Sequence, residues 1–220
     1  MQPSLNHETL RAKEQRLSAE VPNSLRLRVH RSISWIGRAE RALDDDARFI
    51  FFWIAFNAAY ADESVFREST SSEQKFRADF FQKVVSLDSK QRIYGAIWEN
   101  FPGPIRLLME NQYVFGPFWQ HHNGTTGTED WQDRFDNAKR RFHQAISQQN
   151  TEFVLDLVFD RLSVLRNQLV HGGATWGGGI NRPQVRDGTA ILAFLIPVFV
   201  DVMLENPLEY WGRPFYPVVA

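Results

Sequence analysis

Apolar residues recur along this chain at the spacing expected of α-helices. One stripe advances by four, four, three and seven residues, through Leu25, Val29, Ile33, Ile36 and Leu43. A second advances by four, three, four and three, through Trp131, Phe135, Ala138, Phe142 and Ala145. Residues three and four apart share one face of a helix, so both stripes predict amphipathic helices. No stretch of useful length alternates with a period of two, and the pattern therefore predicts an all-α fold.

Two further segments are apolar nearly all round. Residues 47–61 read ARFIFFWIAFNAAYA and follow three aspartates, which are favoured at a helix N-terminus. We expect this helix at the centre of the core. The second segment is 189–204, in which the longest apolar run is interrupted by Pro197 and followed by Asp201. Since a bilayer span needs about 20 apolar residues, we expect a buried helix and no membrane association.

The chain is expected to form one domain over residues 1–220. Residues 62–150, which hold polar loops and shorter helical stripes, are predicted to be a helical insertion within it. The chain has no cysteine, which excludes disulfides and thiolate chemistry. Its formal net charge is −1. A nucleic-acid contact would therefore come from a local basic patch or from a subunit interface.

Candidate chemistry lies in residues 166–173, RNQLVHGG, where an apolar helix meets a glycine-rich segment. Asn167 and His171 are four residues apart and share a helix face. Arg166 and His171 are five apart, about 140° around the axis, and do not converge on a regular helix. Two arrangements would bring them together. The helix could end near His171 at Gly172, or the segments of two subunits could pair about a two-fold axis.

These residue types suit cleavage of a phosphodiester without a metal. Histidine can move a proton near neutral pH, arginine matches phosphate oxygens, and asparagine can orient either group. A ribose 2′-hydroxyl would attack the adjacent phosphorus, which points to RNA as the substrate. The same residues also suit a plain helix end, since arginine and histidine can bond the last carbonyls and glycine commonly follows.

The segment RNQLVHG resembles the R-x4–6-H motif of the HEPN superfamily, and residues 47–61 resemble the W-x-x-F-N-x-x-Y helix of several HEPN branches. The resemblance implies an all-α bundle and a metal-independent endoribonuclease, usually a dimer with facing motifs. Members often act as toxins or in defence against phage, while others only bind RNA or nucleotides. Arg166 and His171 take the motif positions, and Asn167 the polar position after the arginine. One toxin branch carries a tyrosine where this chain has Gly173, so silencing by nucleotide addition there is not expected.

Other polar residues are candidates for supporting roles. Arg38 and Arg48, together with Arg140 and Arg141, could contact an RNA backbone, although a solvated helix face is the usual role of such residues. Asn57 lies within an apolar helix, and we expect it to be a buried, hydrogen-bonded core residue. Residues 172–179 contain five glycines and are expected to form a flexible connection that could close over the site.

Adjacent histidines, His121 and His122, are poorly placed to chelate one metal ion and are expected to lie in a loop against the core. Neither a metal nor a cofactor is expected. Taken together, the sequence predicts an all-α, HEPN-like RNA endonuclease that is cytoplasmic and homodimeric, with an antitoxin or regulatory protein as a further partner. The alternatives are a non-catalytic module of this fold that binds RNA, a nucleotide or a protein, and a structural dimerisation domain.

Overall fold

The computed structural model describes residues 5–17, 20–61, 70–214 and 216, and these form helices and turns without a β-strand. The described chain also contains a π-helical turn, Ala96–Asn100, and a 3-10 turn, Gln112–Val114. The α-helices of the described chain are α1 (His7–Arg16), α2 (Asn23–Glu40), α3 (Asp45–Tyr60), α4 (Thr70–Leu87), α5 (Arg92–Gly95), α6 (Pro102–Glu110), α7 (Gly116–His122), α8 (Trp131–Ser147), α9 (Thr151–Val170) and α10 (Arg182–Glu205). The all-α prediction is confirmed.

Capping residues explain where α3 begins and where α9 begins and ends. The side chain of Asp44 accepts a hydrogen bond of 2.9 Å from the Ala47 N–H, which caps the start of α3. Asn150 caps the start of α9 in the same way. At the other end of α9, Gly172 adopts φ +72°, a left-handed conformation that glycine enters at no steric cost.

The core is built around α3, which packs on α2, α9 and α10. The prediction that residues 47–61 lie at its centre is confirmed, because one face of α3 enters a cluster of aromatic rings. Members of this cluster are Trp53, Phe56, Tyr60, Phe80, Phe81, Phe159 and Phe199.

Helix α10 is long and apolar enough to cross a membrane by length and composition alone. However, 78% of its most apolar stretch is buried inside the protein. This burial is what a core helix of a soluble protein shows, as the sequence predicts. Pro197 lies inside α10 without ending it.

Two predictions about burial are wrong. Leu43 was expected to extend the α2 stripe, but α2 ends at Glu40 and Leu43 is fully exposed in the turn before α3. Asp44 caps α3 with an extended backbone conformation, so the helical stripe is interrupted between α2 and α3. Asn57 was expected in the core, but it is exposed, since it lies on the face of α3 that turns away from the aromatic cluster.

The described part of residues 62–150 contributes to the main core as well as forming a small core of its own. Phe81 of α4 and Ile93 of α5 are buried in the main core with α3 and α9. A second cluster contains Phe115, Phe118 and Phe135. Residues 62–69 lie outside the described residues, and the assignment of 62–150 as an insertion stays a prediction.

A cluster of charged side chains joins α1, α5 and α10. Asp201 is buried and accepts hydrogen bonds of 2.5 Å from both Lys13 and Arg92. Lys90 pairs with Glu205 beside them. Burial alone would raise the pKa of Asp201, but the hydrogen bonds from Lys13 and Arg92 outweigh it and lower the pKa below the ordinary aspartate value.

Asp201→Asn is expected to lower the free energy of unfolding by about 1.5–3 kcal/mol at neutral pH, because Lys13 and Arg92 lose a buried partner and keep Glu205. The pKa of Asp201 is lowered by folding, so its stabilisation is complete above the ordinary aspartate pKa and is lost as the pH falls through the folded value. The variant should therefore lose less stability on acidification. Urea titrations at several pH values measure both effects. Glu209→Gln, at an exposed carboxylate, is the control, and equal stability of the two variants would contradict the prediction.

Candidate functional site

The C-terminal turn of α9 carries the three predicted catalytic residues. Arg166 is half-buried, whereas Asn167 and His171 are exposed. His171 is the last residue of the turn, and its backbone N–H donates to the Asn167 carbonyl at 3.0 Å. Neither the Asn167 nor the His171 side chain has a hydrogen-bond partner within the described parts of the chain. Both side chains are therefore available to a ligand at the surface.

Arg166 packs against α3. Its guanidinium carbon lies 5.4 Å from the centre of a Trp53 ring, and its Nε is buried without a hydrogen-bond partner. No carboxylate of the described residues pairs with it. A buried N–H without an acceptor is uncommon in folded proteins, and Trp53 and Arg161 each have one as well.

Within one chain, the structure does not bring Arg166 and His171 together. No hydrogen bond or ring contact joins the two side chains as far as the chain is described. The helix does end after Val170, as one of the two proposed arrangements requires. That ending leaves the arginine against α3 and the histidine at the surface, and both arrangements stay predictions.

Gln168, a residue of the motif that the sequence did not single out, connects the end of α9 to two other segments. Its side-chain N–H donates to the Tyr113 carbonyl at 2.8 Å, and its side-chain oxygen accepts from Asn181 at 3.0 Å. The Ala174 N–H donates to the backbone carbonyl of Gln168 at 3.0 Å. Gln168 therefore binds Ala174 within the glycine-rich segment and Asn181 just after it, and it holds both against α9.

The glycine-rich segment, expected to be flexible, is also anchored to α3. The Gly177 N–H donates to a carboxylate oxygen of Asp46 at 2.8 Å, and Arg182 binds the same carboxylate through two hydrogen bonds. Arg182 additionally donates to the Gly178 carbonyl at 2.9 Å. Although burial opposes it, these contacts lower the pKa of Asp46 below its ordinary value. No sequence signal could have identified this pair, because its members are 136 positions apart.

A cavity of about 600 Å³ lies beside the end of α9, and we call it the α3–α9 pocket. Its wall combines the turn between α2 and α3, the first turns of α3, the last turn of α9 and the glycine-rich segment. The wall residues are Arg38, Arg41, Ala42, Leu43, Asp44, Asp46, Ala47, Ile50, Phe51, Leu169, Ala174 and Trp176. Arg166, Asn167 and His171 are not wall residues themselves, but Leu169 is one helical turn after Arg166 on the same face of α9.

The predicted RNA-binding arginines separate into two places. Arg38 lines the α3–α9 pocket with its guanidinium 4.4 Å from the centre of the Phe51 ring, and Arg48 pairs with Asp45 at 3.6 Å in the first turns of α3.

The second pair lies far from the motif. Arg140 donates to Asn137 on α8, and Arg141 lies over the ring of Phe153 in the first turn of α9. Phe153 precedes His171 by 18 residues, which is about 27 Å along a helix. In one chain, therefore, Arg140 and Arg141 are not part of the site at the end of α9.

The adjacent histidines lie in α7 rather than in a loop. His122 stacks on Phe118 with ring centres 4.0 Å apart, inside the second aromatic cluster. Over the parts of the chain that the structure describes, no group of three histidine, aspartate or glutamate side chains could hold a metal ion.

No protein-family model, no curated protein and no solved structure matches this chain. The resemblance to HEPN domains therefore depends on residues 47–61 and 166–172 and on their chemistry.

Proposed function

We propose that this chain is a metal-independent RNA endonuclease of HEPN type, active as a homodimer in the cytoplasm. The observation that carries the proposal is the unpaired state of the motif. A helix-capping role would have Arg166 or His171 bond the last carbonyls of α9, yet neither side chain donates to a carbonyl of the described residues. Three side chains suited to RNA cleavage instead stand within six residues without a hydrogen-bond or ion-pair partner among the described residues.

The proposed reaction needs only these side chains and the RNA. His171 takes the proton of a ribose 2′-hydroxyl as its oxygen attacks the adjacent phosphorus. The bond from phosphorus to the 5′-oxygen breaks, and that oxygen receives a proton from the imidazolium of His171, which returns to its neutral form. Arg166 stabilises the charge that develops on the phosphate oxygens, and Asn167 orients the phosphate or the imidazole. The products are a 2′,3′-cyclic phosphate and a 5′-hydroxyl.

A homodimer would bring two copies of the motif together, so that each site takes residues from both chains. Two exposed apolar residues support a subunit contact at this end of the molecule. Val170, next to His171, is 54% exposed, and Ile180, next to Asn181, is 83% exposed. Exposed apolar side chains that cluster at one surface are typical of protein interfaces. Pairing about a two-fold axis would place His171 of one chain opposite Arg166 of the other.

The biological setting that fits such an enzyme is toxin–antitoxin control or defence against phage. An uncontrolled RNA endonuclease would damage its own cell, which is why we include an antitoxin or regulatory protein among its partners. Gly173 offers no side chain for modification, so control by nucleotide addition at that position is not part of the proposal.

The test is cleavage of a mixed RNA pool by the purified protein in EDTA. We expect cuts that leave 2′,3′-cyclic phosphate ends, and a matched oligonucleotide with a single 2′-deoxyribose should resist cleavage at that bond. His143→Ala, at an exposed histidine on α8, is the control variant and should cleave normally. Cleavage at the 2′-deoxy position would contradict the mechanism. Tight RNA binding without any cleavage would instead favour the non-catalytic module.

A further inference from the structure

The α3–α9 pocket has the size and position of a substrate subsite. Its volume of about 600 Å³ is in the range of pockets that hold small ligands. Two of its wall residues, Leu169 and Ala174, lie two positions before and three positions after His171. Leu169 is also one helical turn after Arg166 on the same face of α9, so a group bound in the pocket would lie near the phosphate that Arg166 is proposed to contact.

The wall residues of this pocket that have no ion-pair partner among the described residues are Arg38, Arg41 and Asp44, and their net charge is positive. Arg38 and Arg41 are exposed at its wall, and neither forms an ion pair with the described residues. The carboxylate of Asp46 is paired with Arg182, and that of Asp44 caps α3. An anion, and a phosphate in particular, would therefore be attracted to the side of the pocket that α2 provides.

The glycine-rich segment contributes an aromatic surface to the pocket. Trp176 lines the pocket and is 69% exposed, which is unusual for a tryptophan without a ligand. The next residue, Gly177, is hydrogen-bonded to Asp46 of α3. The backbone beside the indole is thus already ordered, so stacking a planar group on it would cost little conformational entropy.

We infer that the α3–α9 pocket binds one nucleotide of single-stranded RNA, with the base on Trp176 and a flanking phosphate on Arg38 and Arg41. The choice of RNA rests on the proposed function, whereas the base and phosphate follow from the aromatic and cationic walls. Bases in a duplex are stacked on one another and cannot lie on an indole. The subsite therefore selects single strands and places the neighbouring phosphodiester at the end of α9.

The experiment measures binding of a fluorescein-labelled RNA octamer to protein that carries His171→Ala, so that the RNA is not cut. In this background Trp176→Ala is expected to weaken binding about tenfold, and Trp176→Phe to keep most of it. Arg38→Ala and Arg41→Ala should each weaken binding and reduce its dependence on salt. Tyr210→Ala, at an exposed aromatic residue, and Arg26→Ala, about 18 Å earlier on α2, are the matched controls.

These outcomes test the proposed subsite independently of the proposed endonuclease activity. Loss of binding in the three pocket variants, with unchanged binding in the two controls, supports the subsite even if the wild-type protein cuts no RNA. Equal binding by all variants overturns the subsite even if the wild-type protein cleaves. Binding of a duplex as tightly as the single strand also overturns the subsite. The absence of RNA binding overturns it too, and would favour a protein as the partner that contacts the α3–α9 pocket.

Discussion

RNA cleavage by the His171→Ala protein is expected to be slower by about 10²–10⁴-fold than cleavage by the wild type. The imidazole is the only group of the motif that can accept the 2′-hydroxyl proton near neutral pH. Because His171 is exposed and has no side-chain hydrogen bond among the described residues, its loss should leave the fold intact. The rate is measured in EDTA under single-turnover conditions, and the circular dichroism melt of each variant confirms that it is folded.

Arg166→Ala is expected to lower the rate to a similar extent, and Arg166→Lys to recover little of it. The planar guanidinium matches two phosphate oxygens, and it lies against the Trp53 ring, which an ammonium on a flexible chain would not reproduce. Wild-type rates for the alanine variants at both positions, with a folded His143→Ala control, would show that the cleavage comes from another site or from a contaminant.

Mixing the two inactive proteins tests whether a site is shared between subunits. If each site takes Arg166 from one chain and His171 from the other, a heterodimer of Arg166→Ala and His171→Ala keeps one intact site out of two. A heterodimer purified with two different tags should therefore cleave at about half of the wild-type rate. No recovery in a heterodimer shown to form would contradict the shared site, while the single variants still test the endonuclease.

The Phe56→Ala protein is expected to lose about 3–5 kcal/mol of unfolding free energy, because a large side chain is removed from a closely packed core. Phe56 is 0% exposed, and its ring centre lies 4.4 Å from that of Tyr60 and 4.6 Å from that of Phe159. Neighbours on α3, α4, α9 and α10 surround it, so the cavity cannot close by the movement of one side chain. Urea-induced unfolding, followed by circular dichroism, measures the loss.

Leu208→Ala provides the comparison, since Leu208 is almost fully exposed and its truncation should change stability by about 0.5 kcal/mol or less. A Phe56→Leu protein should lie between the wild type and Phe56→Ala. If Phe56→Ala were as stable as Leu208→Ala, Phe56 would not be at the centre of the core.

The aromatic spacing in residues 47–61 shows how far the sequence can be interpreted without a structure. Trp53, Phe56 and Tyr60 follow each other by three and four residues, and all three are buried on one side of α3 as that spacing predicts. Asn57 sits one position after Phe56, about 100° further around the helix, and is exposed. The prediction of a core asparagine is wrong. Apolar neighbours in the sequence do not show whether a residue lies on the buried or the exposed face of its helix.

The sequence by itself determined the properties that depend on neighbouring residues. The helical content, the position of α3 in the core and the end of α9 at the glycines follow from a period of 3.6 residues and from local capping. Only the tertiary structure decided the anchoring of the glycine-rich segment by Asp46 and Arg182, and with it the position of Trp176. These features depend on how the helices pack against each other. A contact between residues more than 100 positions apart leaves no spacing or periodicity in the sequence from which it could be predicted.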